Sequence, residues 1–139
     1  RFLGTTDKKD IPVIARAVAR VALKQEPFEI SFQGLGVFSL QRKRKVIWLG
    51  VAGRGASALR VLKRSIDCSL NEAGFRLKRE KFMPHFTLGR TKYLSEKFKE
   101  AAKKSFEARG MEVNTIGFFK SETRASGVVY SEIESFRLG

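Results

Sequence analysis

Residues 82–91, Phe-Met-Pro-His-Phe-Thr-Leu-Gly-Arg-Thr, contain the only histidine of the chain, two positions before a threonine in a strand-like run. Side chains alternate across a strand, so His85 and Thr87 are expected on one face and Phe86 and Leu88 on the other. This arrangement sets an acid/base group beside a hydroxyl donor on a rigid element and predicts that the apolar pair is buried behind them. Taken alone, one His-x-Thr is weak grounds for catalysis, because a lone histidine in a strand more often packs or faces solvent. Its weight comes from what lies on either side.

Upstream, residues 45–52, Lys-Val-Ile-Trp-Leu-Gly-Val-Ala, form a near-continuous apolar run, as a central strand does. Phe28-Glu29-Ile30-Ser31-Phe32 alternates as a half-exposed strand, which Gly34 and Gly36 are expected to break or bulge. Basic residues 41–44 read as the connecting loop. Ile11, Ile14, Ala15, Val18, Val21 and Ala22 recur at helical spacing and predict a helix over about residues 10–24, capped by Asp10 or Asp7, with Pro12 in its first turn. A second helix is expected over about 57–73, with Leu59, Leu62, Ile66 and Leu70 on one side and Gly74 as a left-handed cap.

Downstream, the pattern predicts a third helix over about 95–108 ended by Gly110. Two closing strands, about 114–122 and 128–137, are expected to meet through Ser126-Gly127 as a hairpin. Helices and strands alternate without a long linker, so the expectation is a single α+β domain spanning 1–139. Arg1-Phe2-Leu3-Gly4 reads as the tail of a strand followed by a turn. Domains seldom open in mid-strand, and a preceding segment is therefore expected to be absent.

A chain of 139 residues, 42% hydrophobic, suits one compact domain. No apolar run reaches bilayer-spanning length, and the first residues lack a signal-peptide layout. Cys68 is the single cysteine, which excludes an internal disulfide and points to a reducing, cytoplasmic setting. One histidine and one cysteine do not make an ordinary structural zinc site, so neither a metal nor another cofactor is expected.

Charge is more informative. Lys and Arg number 28 against 14 Asp and Glu, a net +14 with a pI of about 10.4. Such a surface attracts polyanions through counterion release and steering, although a plain solubility role is the bland alternative. The basic residues cluster. Arg42-Lys43-Arg44-Lys45 forms one group, and Lys78, Arg79, Lys81, Arg90 and Lys92 bracket the histidine strand. Lys97, Lys99, Lys103 and Lys104 alternate with Glu96, Glu100 and Glu107 and read as an ordinary solvated helix face.

The order of these segments resembles the 2H phosphoesterases, the family that includes bacterial and archaeal 2'-5' RNA ligases. Phe82 to Arg90 is similar to the second His-x-Thr-Leu motif, including the proline before the histidine and an arginine five positions after it. Gly34-Leu35-Gly36-Val37-Phe38 followed by Val46-Ile47-Trp48-Leu49-Gly50-Val51 resembles the middle strands. Ser121-Glu122, Gly127 and Tyr130 resemble the closing hairpin. Arg1-Phe2-Leu3-Gly4 resembles the residues that follow the first His-x-Thr-Leu. The likeness spans essentially the whole chain. It implies a bilobal fold of antiparallel sheets flanked by helices, with the first strand and helix of one lobe missing.

The resemblance further implies metal-free hydrolysis of an RNA 2',3'-cyclic phosphate to a 2'-phosphate, between two imidazoles acting as base and acid. His85 is expected to be one of them, as general base, and Thr87 a phosphoryl ligand. Arg90 is expected to add charge-assisted contacts, with Arg42 and Lys43 as further phosphate contacts. Phe82 reads as a stacking or pocket wall, or equally as core. Trp48 and Tyr130 read as core, as aromatics in strands usually are. With one histidine, the chain is expected to be inactive or impaired by itself. Two alternatives stay open: a non-catalytic RNA-end or nucleotide-binding remnant, and a fragment that completes its sheet by pairing with another chain through an exposed edge.

Overall fold

The apolar stripe near the start folds as helix α1 (Ile11–Ala22), entered through one 3₁₀ turn over Lys8–Asp10. Pro12 lies in its first turn, where its missing N–H costs nothing. Neither aspartate caps the helix with its side chain. Instead the Asp10 N–H donates to the Asp7 carbonyl at 3.0 Å, and the Asp7 carboxylate pairs with Lys9. The backbone turn satisfies the donor that a side-chain cap was expected to take.

The computed structural model describes residues 1–39, 44–78, 80–104, 107–125 and 127–139, the side chains of residues 107–109 excepted. Strands β1 (Phe28–Ser39) and β2 (Lys45–Ala52) follow α1, and helix α2 (Gly53–Glu72) comes next. Then come β3 (His85–Thr91), α3 (Glu96–Lys103), β4 (Glu107–Val113), β5 (Thr115–Arg124) and β6 (Gly127–Arg137). The chain divides into two compact units. One comprises Arg1–Phe28, Val61–Glu80 and Val113–Gly139, and the other Glu29–Arg60 and Lys81–Glu112. Among the described residues, no helix is long and apolar enough to cross a membrane.

In the first unit, α1 contributes Ile14, Ala15, Ala17, Val18 and Ala22 to a core completed by Leu70, Phe136 and Leu138. Ile14 and Leu70 are only 1% exposed. Ser69, buried beside them, donates to the Ala17 carbonyl at 2.9 Å and so ties α2 to α1 without leaving its hydroxyl unpaired. Helix α2 ends in a paired cap: Gly74 N–H donates to Asn71 and Phe75 N–H to Leu70. Gly74 adopts φ +94°, as that motif requires and as its place in the sequence predicts.

Strands β5 and β6 form an antiparallel hairpin in which Arg124 faces Gly127 and Thr115 faces Arg137. Ser126 lies outside the described residues. A second constellation was not foreseen. The Arg1 guanidinium, 8% exposed, pairs with Glu80 at 3.0 Å and Asp67 at 3.6 Å and donates to the Lys78 carbonyl at 2.7 Å. Residues 1–4 belong to no strand, and Leu3 packs against the α1 core.

In the second unit the strand order is β3-β2-β1-β4, so the apolar β2 is internal, as expected. The glycines of β1 do not end it. The strand runs through to Ser39, with a bulge between Gln33 and Leu35 that is centred on Gly34. Helix α3 is shorter than its charge pattern predicts. It stops at Lys103, and Glu107 begins β4 instead of continuing the helix. At Gly110 a β-carbon would sit 2.3 Å from the Ile30 carbonyl oxygen, so this glycine marks a close strand approach and not a helix stop. Pairing at the sheet edge overrides local helical propensity there. Lys97 and Lys99 do stand exposed on α3, with Lys99 paired to Glu96.

Leu70→Ala is expected to destabilise the protein by about 2–5 kcal/mol, as large-to-small changes at fully buried sites do. Leu23→Ala, at a position 70% exposed, should stay within about 0.5 kcal/mol. Denaturant unfolding midpoints of the two variants check this pair.

Candidate active site

His85 opens β3, an edge strand paired with β2 alone. The segment leading to it is anchored by Pro84, which is buried and whose carbonyl accepts from the Val51 N–H at 3.4 Å. Pairing sets His85 opposite Gly50 and Thr87 opposite Trp48, so these four residues share one face of the sheet. The imidazole Nδ1 lies 2.7 Å from the Met83 carbonyl oxygen. A carbonyl only accepts, so Nδ1 carries the proton, and Nε2 is the ring nitrogen left for other partners.

The position of Arg90 depends on an irregularity. It lies five positions after His85, and strict alternation would send it to the opposite face. The β2–β3 register slips between Ile47 and Trp48: Trp48 faces Thr87, but Ile47 faces Gly89, leaving Leu88 as an extra residue. The bulge inverts the alternation, so that Arg90 pairs with Val46 on the same face as Thr87 and His85. An imidazole, a hydroxyl and a guanidinium thus line one strand face. Among the described residues, the Thr87 and Arg90 side chains are committed to no hydrogen bond or ion pair. Lys81, Arg90 and Lys92 are at least partly open to solvent, as an electropositive surface needs.

The apolar pair behind the motif is not buried. Phe86 and Leu88 are 55% and 51% exposed. Because β3 is an edge strand, only β2 flanks it among the described residues. Phe86 finds the edge of the Phe32 ring at 6.0 Å, and Leu88 is the bulged residue itself. Phe82 stands in the segment before β3 at 38% exposure. Arg42 and Lys43, with Arg79, lie outside the described residues. Tyr130, expected in the core, is 57% exposed on β6. Its hairpin has two strands among the described residues.

Sequence reading missed the surroundings of the imidazole. Phe38 meets His85 edge-to-face at 4.9 Å and stacks on Trp48 at 5.0 Å and 30°. The signal was present in the alternation of Gly36 and Phe38, which β1 carries opposite Trp48 and Val46. Gly36 and its neighbours read instead as an interruption.

Comparison with known proteins defines the class. The fold is that of the 2H phosphoesterases. A crystal structure of a Thermus thermophilus protein matches with a TM-score of 0.76 at 23% identity, covering 99% of this chain and 74% of that one. The Escherichia coli LigT structure complexed with 3'-AMP matches with a TM-score of 0.72 at 17% identity, with the same coverage of both chains. At the level of sequence, a profile of the 2'-5' RNA ligase superfamily matches residues 2–125. An RNA 2',3'-cyclic phosphodiesterase of Methanothermobacter thermautotrophicus is 33% identical over 142 residues, 99% of this chain and 76% of that protein. One from Aquifex aeolicus is 31% identical over 143 residues, 100% of this chain and 76% of that protein. The chain belongs to the 2'-5' RNA ligase superfamily.

Deleting Leu88 would remove the bulge yet leave Arg90 four positions from His85 and still opposite Val46, so it should preserve binding of inorganic phosphate, whereas Arg90→Ala should weaken it. A lost charge-assisted contact amounts to about 1.5–3 kcal/mol, roughly 10- to 150-fold in Kd. Calorimetric titration of both variants is the check.

Proposed function

We propose that this chain acts on RNA ending in a 2',3'-cyclic phosphate and contributes one half of a two-group hydrolytic site, giving a 2'-phosphate and a free 3'-hydroxyl. The observation that carries the reading is the shared face of His85, Thr87 and Arg90, in a chain of this superfamily. Water attacks phosphorus, and the bond from phosphorus to the ribose 3'-oxygen breaks. A base takes the proton of the water, and an acid protonates the departing 3'-oxygen. With Nδ1–H held by Met83, His85 acts through Nε2, which accepts the proton as general base. Thr87 donates a hydrogen bond to a phosphoryl oxygen, and Arg90 supplies positive charge to the phosphoryl group.

The acid on the other side of phosphorus is not a second histidine of these 139 residues, since the sequence has one. His85→Ala should therefore abolish the turnover that the 139-residue polypeptide has, and that turnover should already lie about 10²–10⁴-fold below that of a two-histidine relative. Thr87→Val should lower it further, by about tenfold, through loss of one hydroxyl contact. Conversion of a cyclic-phosphate oligonucleotide to its 2'-phosphate form measures all three. Full activity retained by His85→Ala would remove the enzymatic reading. Salt-sensitive RNA binding unchanged in that variant, with no turnover in either protein, would favour the RNA-end-binding remnant.

A second observation supports pairing with a further strand. Strands β5 and β6 form a two-stranded sheet on which Val128, Tyr130 and Ile133 are 53%, 57% and 39% exposed. The hairpin packs on the α1 core through Phe136, and an open edge with apolar side chains favours strand addition. The 139-residue polypeptide is expected to self-associate in sedimentation experiments, and Ile133→Lys should reduce that association.

A further inference from the structure

The ring system beside His85 has a built geometry. Gly36 faces Trp48 across β1 and β2, and the indole lies flat against it. A β-carbon at Gly36 would stand 2.0 Å from the indole Cζ2 and 2.2 Å from Cη2, a distance that no side chain could occupy. Glycine here is a space requirement. Phe38 then stacks on the indole at 5.0 Å with 30° between planes, and His85 meets Phe38 at 4.9 Å and 84°. The imidazole also stands 6.3 Å from Trp48 at 61°. All four residues lie in one compact unit, on one face of its sheet.

His85 is an exposed residue at the start of an edge strand. An exposed imidazole ordinarily turns about its side-chain torsions and exchanges between two neutral tautomers. Here two contacts oppose that freedom. The Met83 carbonyl holds Nδ1–H, and Phe38 blocks rotation from the side. The carbonyl alone would leave the ring free to tilt about a single hydrogen bond. The aromatic contact supplies the second point of restraint, and the Trp48 indole, seated on Gly36, backs Phe38.

We propose that Phe38 is a positioning residue for His85, held in place by the Trp48–Gly36 pair, and that it keeps the imidazole in the Nδ1–H tautomer with Nε2 presented outward. The proposal's consequence for turnover rests on the reading of His85 as a proton-transfer group, but the ring restraint itself does not. Because His85 is the only histidine, its ring nitrogens can be assigned in a ¹⁵N spectrum without further variants.

In the wild-type protein at a pH where the ring is neutral, the two nitrogens should give one protonated-type and one unprotonated-type signal. In Phe38→Leu the two signals should move toward each other as the tautomers mix. Phe38→Tyr, which keeps the ring, should restore the wild-type pattern. Gly36→Ala, which displaces the indole, should move the signals in the same direction as Phe38→Leu, with retained circular dichroism showing that both variants fold. The population of the minor tautomer should rise roughly two- to tenfold, the effect of losing one aromatic pair. With a cyclic-phosphate oligonucleotide, kcat of Phe38→Leu should fall by a similar factor at unchanged KM. Unchanged His85 nitrogen signals in both Phe38→Leu and Gly36→Ala would overturn the proposal. Altered signals without turnover in any of the proteins would uphold the restraint and remove the enzymatic reading instead.

Discussion

The register in which β3 pairs with β2 is the constraint on which the site depends. One residue of slip along a strand sends every side chain to the opposite face. The pairing of Gly50 with His85 and Trp48 with Thr87 sets the imidazole and the hydroxyl on one side. The bulge at Leu88 then adds a second half-period, and Arg90 joins them. A regular β3 would have presented an imidazole and a hydroxyl with the guanidinium behind the sheet. The irregularity is thus what gathers the three polar groups on one face of an otherwise ordinary ladder.

The same face combines rigidity with access. Its groups stand on strands, which hold side chains more closely than loops do, yet β3 is at the sheet edge and His85 and Arg90 remain open to solvent. Exposure leaves a histidine poorly oriented unless something restrains it, and the Met83 carbonyl and the Phe38 ring stand where such a restraint must act. The first unit has a different character. Its core is a helical stripe closed by Leu70, Phe136 and Leu138, and its sheet has two strands. Its charge network gathers Arg1, Asp67, Glu80 and Lys63, with the Arg1 guanidinium almost wholly covered.

Elements with a strong period were legible in the sequence. The stripe from Ile11 to Ala22, the apolar run of β2, the Gly74 cap and the closing hairpin all follow from local pattern, because each is specified by neighbours a few positions apart. Segment 107–113 was not legible. Its charges extend the pattern of α3, and only the close approach of Gly110 to the Ile30 carbonyl, far away in the chain, makes it a strand. Burial was misjudged for a related reason. Phe86, Leu88 and Tyr130 have the composition of core residues, but a two-stranded hairpin and an edge strand leave them flanks that composition does not record.

By itself, the sequence determined the family, the histidine and threonine of the motif, and their common face, since alternation over two residues needs no tertiary information. Only the tertiary structure decided that Arg90 shares that face and that Phe38 and Trp48 surround the imidazole. A bulge is defined by the partner strand against which one residue is left over, and a ring stack by side chains that different strands bring together. Neither can be read along a single stretch of chain.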